Sequence, residues 1–159
     1  MAQNPDPTLK LTTLKGVTRT LDDWTTMFHL CIVVLPDRPE GSAWLPVARR
    51  IFQVFGDADC RTAICVAGSE YVARRVLGSA VDDFFVFVDP DKSFVRSLGL
   101  THLPAFVHLR QDTSVGDAAE GWDPREWQRV AVSVAGAMKW SHPQVAGSGD
   151  PAPTGGWPV

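Results

Sequence analysis

Apolar and polar positions change rhythm several times along this chain, and each rhythm predicts an element. Residues 9–20 alternate around Lys15-Gly16, with Leu9, Leu11 and Leu14 before the turn and Val17 and Thr18 after it, which predicts a short β-hairpin. Leu30-Cys31-Ile32-Val33-Val34-Leu35 is an unbroken apolar run rich in branched residues, as expected of a central strand covered on both faces. Ser42 is placed to cap a helix over 43–55, whose apolar residues (Trp44, Leu45, Val47, Ala48, Ile51, Phe52 and Phe55) form a broad face opposite Arg49, Arg50 and Gln53. Residues 61–67 read as a second buried strand. Ser69 starts a short helix ending near Gly78, and 83–88, dominated by Phe84, Phe85 and Phe87, reads as a third strand.

Asp89-Pro90-Asp91-Lys92 then turns into a short helix closed by Gly99. Pro104 opens a strand through Leu109, a turn follows at 111–114, and 116–120 is a short strand. Asp123-Pro124-Arg125-Glu126 carries a helix start: Asp123 as cap, Pro124 with its φ preset, and Glu126 reaching back as a capping box. The helix behind it buries Trp127, Val130, Ala131, Val134 and Met138. Strands alternating with helices call for a parallel core with helices on both faces, and the hairpin and the paired strands before the last helix add antiparallel edges. One α/β domain over 9–140 is predicted, preceded by a flexible 1–8. A Pro/Gly-rich tail over 141–159, with an isolated Trp157, is expected to be disordered.

Composition narrows the partners. In 159 residues, 45% are hydrophobic and 21% charged, enough for a real core in one domain. A net charge of −3 argues against nucleic acid as the main partner, and the paired arginines Arg49-Arg50 and Arg74-Arg75 read as solvated helix faces. No apolar run reaches the length of a membrane helix, and Met1 to Lys15 is expected to be neither a signal peptide nor an anchor. Three cysteines, Cys31, Cys60 and Cys65, are no disulfide framework. The expectation is a cytoplasmic protein with reduced thiols.

Four stretches together resemble the thioredoxin-fold redoxins, in the branch joining peroxiredoxin-type antioxidant proteins and thiol-disulfide reductases of the cytochrome-maturation kind. They are the opening hairpin at Leu11–Leu21, Pro46 early in the first long helix, the Asp89–Pro104 strand-turn-helix-proline segment, and Gly121–Trp127 leading into the last helix. The resemblance spans about 9–139 and implies a thioredoxin-like three-layer sandwich with a mixed central sheet. It also implies an inserted helix and strand at Ser69–Val88 and a cis peptide bond at Leu103-Pro104.

The departure is chemical. By the family's spacing from Pro46, Arg38 stands where the attacking cysteine would be and Gly41 where the resolving one would be. Neither forms a thiolate, the species that attacks disulfides and peroxides. Cys60 and Cys65 are too far apart on one strand for a disulfide. Cys31 and Cys65 sit on neighbouring strands, where packing is the plainer role, and Cys60 is the expected exposed thiol, dulled by Asp57 and Asp59. His29, His102, His108 and Cys60 share no metal-ligand spacing, and no phosphate-binding glycine motif or serine elbow is present, so neither metal nor cofactor is expected. Arg38 could line an anion pocket, although pairing with Asp37 or Glu40 explains it more plainly; Trp44 reads equally as partner-facing or core, and His102 most simply as a solvated loop residue.

The leading expectation is a redox-inactive protein that holds a polypeptide or small ligand on the surface formed by Arg38, Pro39, Glu40, Gly41, Trp44, His102, Leu103 and Pro104, as a chaperone, assembly factor or adaptor. The alternative is a thiol oxidoreductase or peroxidase using a displaced Cys60 or Cys65. A dimer module, resting on the apolar arc of the first long helix, is a third reading.

Overall fold

The structure, a computed structural model, describes residues 2–159. The hairpin is present: β1 (Lys10–Thr13) pairs antiparallel with β2 (Thr18–Thr20) across Gly16, whose φ of +91° is open to glycine. The central run is β3 (His29–Leu35). It lies parallel to β4 (Cys60–Val66), which is parallel to β5 (Val86–Val88). β6 (His102–Leu103) leads through a cis Leu103-Pro104 bond into β7 (Ala105–Leu109), antiparallel to β3, and β8 (Val115–Glu120) completes that edge. The main sheet runs β2-β1-β5-β4-β3-β7-β8, a mixed sheet of seven strands.

Alternate side chains of β3 divide the core. Cys31, Val33 and Leu35 face α2 (Leu45–Phe55), α3 (Glu70–Leu77) and α5 (Pro124–Met138). Leu30, Ile32 and Val34 face α1 (Leu21–Thr25) and α4 (Ser93–Ser97). Two apolar layers sandwich the sheet, so a fully apolar strand is the form that burial on both faces requires. The first helix, α1, had no sequence expectation: five residues are too few for a period, and its Thr20 cap is visible only once Thr20 is seen to accept from the Asp23 N–H.

Several expectations need correction. The helix over 43–55 is two elements, a 3-10 turn (Pro39–Trp44) and then α2, and Ser42 is no cap because its hydroxyl donates to the Pro39 carbonyl. The strand over 83–88 is shorter, starting at Val86. Glu126 does not reach back to close a capping box; it pairs with Arg129 at 2.9 Å, while Asp123 does accept from the Arg125 N–H. Met138 is only partly buried at the edge of the core.

Both ends of the chain are tied down. Gln3 donates its N–H to Leu98, and Asn4 accepts from the Val115 N–H. The stretch 141–159, expected to be a disordered tail, lies against the domain. Val145 is fully buried, Arg50 grips Asp150 with two bonds of 2.5 and 2.6 Å, and Trp122 donates its indole N–H to Pro151. Composition misled here because a Pro/Gly-rich segment needs only a few anchors when the domain offers a ready-made track.

Candidate functional site

The loop after β3 and the segment before β7 face each other at one end of the sheet, as the C-terminal ends of parallel strands are expected to present a site. Arg38 extends from the loop and pairs with Glu40 at 3.2 Å, the plainer of its two expected roles. Asp37 pairs instead with Lys92 at 3.4 Å. Gly41 is buried with its backbone against Pro36: a β-carbon there would lie 3.2 Å from the Pro36 carbonyl oxygen. Trp44 is a core residue, 2% exposed, and its indole N–H finds no acceptor among the described residues. Leu103 and Pro104 are buried; His102 is exposed as expected but lies on β6 rather than in a loop, its Nδ1 3.1 Å from the Thr101 hydroxyl.

What fills the space between them is the chain itself. Trp157-Pro158 forms β9, antiparallel to β6, with His102 opposite Pro158 and Leu103 opposite Trp157. The Val159 N–H donates to the Thr101 carbonyl at 3.0 Å. The Trp157 ring packs edge-to-face against Trp44, centroids 5.8 Å apart, and the Arg38 guanidinium lies over the Trp157 ring, 4.6 Å from its centroid. Upstream, Thr154 and Trp122 exchange two backbone hydrogen bonds of 2.7 and 2.9 Å. Gly156 lets the segment come this close: it has a φ of +79°, and any β-carbon there would overlap the Leu103 carbonyl.

Glu120 braces the other strand. Its Oε1 accepts from the N–H groups of Thr101 and His102 at 2.6 and 3.2 Å; burial pushes its carboxyl up, but those bonds hold it below the usual range. A shallow cavity of about 360 Å³ continues the groove past Arg38 and Pro39 to Tyr71, Arg75 and Val76, with Tyr71 68% exposed. The sequence expectation named residues on both sides of this cleft, Arg38 to Trp44 and His102 to Pro104, but not the strap, Trp157 with Thr154, or the brace, Glu120. Two glycines ahead of an isolated tryptophan, Gly155-Gly156-Trp157, were the available signal.

The thiols lie elsewhere. Cys60 is not the exposed thiol expected; it is 7% exposed, with its sulfur 2.8 Å from that of Cys31. Cys65 points to the opposite layer, so it meets neither. The bond from Cys60 and burial push Cys31 well up, and burial does the same for Cys65. Cys31 lies four residues down β3 from Leu35, roughly 13 Å from the groove's end of the strand.

No family model matches this chain, and no curated protein matches it. Solved structures do. DsbF of Mycobacterium tuberculosis, determined in mixed oxidized and reduced forms, superposes with a TM-score of 0.66 at 14% identity over 82% of this chain and 95% of its own. Peroxiredoxin Q of Xanthomonas campestris gives 0.65 at 16%, covering 86% and 94%. The exposed lipoprotein thioredoxin Etrx1 of Streptococcus pneumoniae gives 0.62 at 17%, covering 82% and 97%. The chain has the thioredoxin fold of these redoxins, and no Cys-x-x-Cys pair occurs in it.

Proposed function

We propose that the protein binds extended polypeptide at the groove between Arg38–Trp44 and Thr101–Pro104, without thiol chemistry, and that its own residues 154–159 are the resident occupant that a partner segment displaces. The observation that supports this is the seating of Trp157. The backbone of β6, which joins no strand of the main sheet, takes β9 by strand pairing, and Trp44 and Arg38 hold one large aromatic side chain. Strand addition of this kind gives affinity through the backbone and selectivity through the pocketed side chain. The direct test is a fluorescently labelled peptide Thr-Gly-Gly-Trp-Pro-Val added to the full chain and to a Gly156→Ala variant. Saturable binding to the variant, lost when the peptide's Trp is Ala, is expected. A variant that releases its strap yet ignores the peptide would reject the reading.

A second reading has one observation in its favour, the 2.8 Å approach of Cys31 and Cys60, which would relocate thiol redox chemistry to the far end of the sheet. It requires disulfide or peroxide turnover by the intact protein that disappears when both are changed to Ser.

A further inference from the structure

Beside the hairpin, at the N-terminal end of β5, lies a cavity of about 390 Å³ that shares no lining residue with the groove. Its apolar wall is aromatic: Trp24 and Phe85 meet edge to face at 5.7 Å. Four cations line it (Lys15, Arg19, Arg61 and Arg74) against one carboxylate, Asp82. In a chain of net charge −3 this is a local excess of positive charge.

Only Arg74 of the four has a carboxylate partner, Glu70 at 3.1 Å, among the described residues. Arg61 is stacked instead: its guanidinium lies over Trp24 at 5.2 Å, Phe85 at 5.4 Å and Phe28 at 5.8 Å, and Arg19 covers Trp24 at 5.0 Å. Stacking uses the flat faces of a guanidinium and leaves its N–H edge unspent. Arg61 Nε is buried with no acceptor, an arrangement that is costly unless something anionic arrives. Burial and the neighbouring Arg19 charge both weaken the hold of Arg61 on its proton, the direction expected of cations lacking a counter-ion.

We propose that this cavity binds a small organic anion with a flat apolar body, a carboxylate or a phosphate monoester. The head lies between Arg19 and Arg61, where planar forks suit two acceptor oxygens, and the body lies against Trp24 and Phe85. The volume sits at the small end of ordinary ligand sites.

The test is calorimetric titration of the full chain with phenyl phosphate, phenylacetate, inorganic phosphate and benzyl alcohol, with intrinsic tryptophan fluorescence in parallel. At least one of the two aromatic anions should bind at least about tenfold tighter than both inorganic phosphate and the neutral alcohol, and their ranking tells carboxylate from phosphate. Arg61→Gln and Arg19→Gln should each weaken that binding about tenfold, the usual loss for a charged hydrogen-bond donor. Arg125→Gln, exposed on α5 and outside the cavity, should leave it unchanged. Should Arg61→Gln fail to melt cooperatively, Arg19→Gln decides, since Arg19 is exposed on β2. Aromatic anions that bind no tighter than benzyl alcohol or inorganic phosphate, or a folded Arg19→Gln with full affinity, would overturn the proposal. Because Gly156→Ala leaves this cavity untouched, failure here is separate from failure of the peptide groove.

Discussion

Gly156→Ala is the smallest change that should lift the strap. The residue's φ of +79° costs an L side chain roughly 1–2 kcal/mol, and the added methyl would overlap the Leu103 carbonyl oxygen and lie 2.8 Å from its carbon. Backbone atoms of β6 cannot rotate out of the way as a side-chain tip can, so the segment must move. Moving gives up the Trp44–Trp157 edge contact (about 0.5–1.5 kcal/mol), the Arg38–Trp157 cation–π contact (about 0.5–1) and the Val159–Thr101 hydrogen bond (about 1). A combined loss of about 3 kcal/mol raises the open population by roughly a hundredfold. Amide exchange at Val159 should quicken by that factor while the β7 amides of 105–109 stay protected. Gly155→Ala is the control, because nothing lies within 4 Å of a β-carbon there. If the two alanines behave alike, the close approach is not what seats the strap. If β7 loosens with Val159, strap and core open as one unit and no separate occupant exists.

Two further predictions concern buried titratable groups. His108 is held down to about 4, first by burial, then by the His29 and Arg110 charges, with Asp117 opposing them; its Nε2 meets His29 Nδ1 at 2.8 Å, so two protonated rings would set N–H against N–H. An unfolded histidine near 6.5 takes up a proton first as pH falls, so this contribution is complete above about 6.5, falls by about 2 kcal/mol between pH 7.5 and 5, and is gone below about 4. Urea unfolding at the two pH values should show that loss in the parent and a flatter dependence in His108→Gln; equal slopes would discard the assignment. The cysteines should all be sluggish: Cys31 and Cys65 are fully buried, Cys60 nearly so, and burial raises the first two. Native alkylation by iodoacetamide at pH 7 should take hours, whereas labelling of any one within minutes would revive the thiol reading.

The sheet was readable because its strands carry their own evidence. Leu30–Leu35 can be little else than a strand covered on both faces, and Asp123-Pro124 announces α5 through the chemistry of a helix start. The elements that were misread depend on partners distant in sequence. Val86–Val88 is shorter than its aromatic run because Phe84 and Phe85 turn away, Phe84 toward Phe52 and Phe85 toward Trp24. At the candidate site, Arg38 and Gly41 were picked out by the redoxin family's spacing from Pro46 and Pro104 by the resemblance itself, whereas Trp157 gave no period and no motif. Its position follows from a glycine that can pass a carbonyl and from a slot whose two sides come from residues 38 and 44. Sulfur behaved similarly: Cys31 and Cys60 meet because β3 and β4 pair in a parallel register, with His29 opposite Cys60, a fact no one-strand spacing contains.

The loop is packed around its present residues, so introducing sulfur at positions 38 and 41 should not bring thiol chemistry. A β-carbon at position 41 would lie 3.2 Å from the Pro36 oxygen and 3.3 Å from its Cδ, tighter than side chains ordinarily tolerate, and a thiol extends further still. Position 38 holds the guanidinium that covers Trp157, so a cysteine there removes one wall of the slot while the strap still lies across the other. An Arg38→Cys/Gly41→Cys variant is therefore expected to be less stable by about 1–3 kcal/mol and to reduce insulin disulfides no faster than the parent. Adding Gly156→Ala should expose the two thiols to alkylation without bringing turnover, because crowding against Pro36 remains. Reductase activity in the double variant would mean that the loop admits a reactive thiol pair and that crowding against Pro36 is no barrier to it.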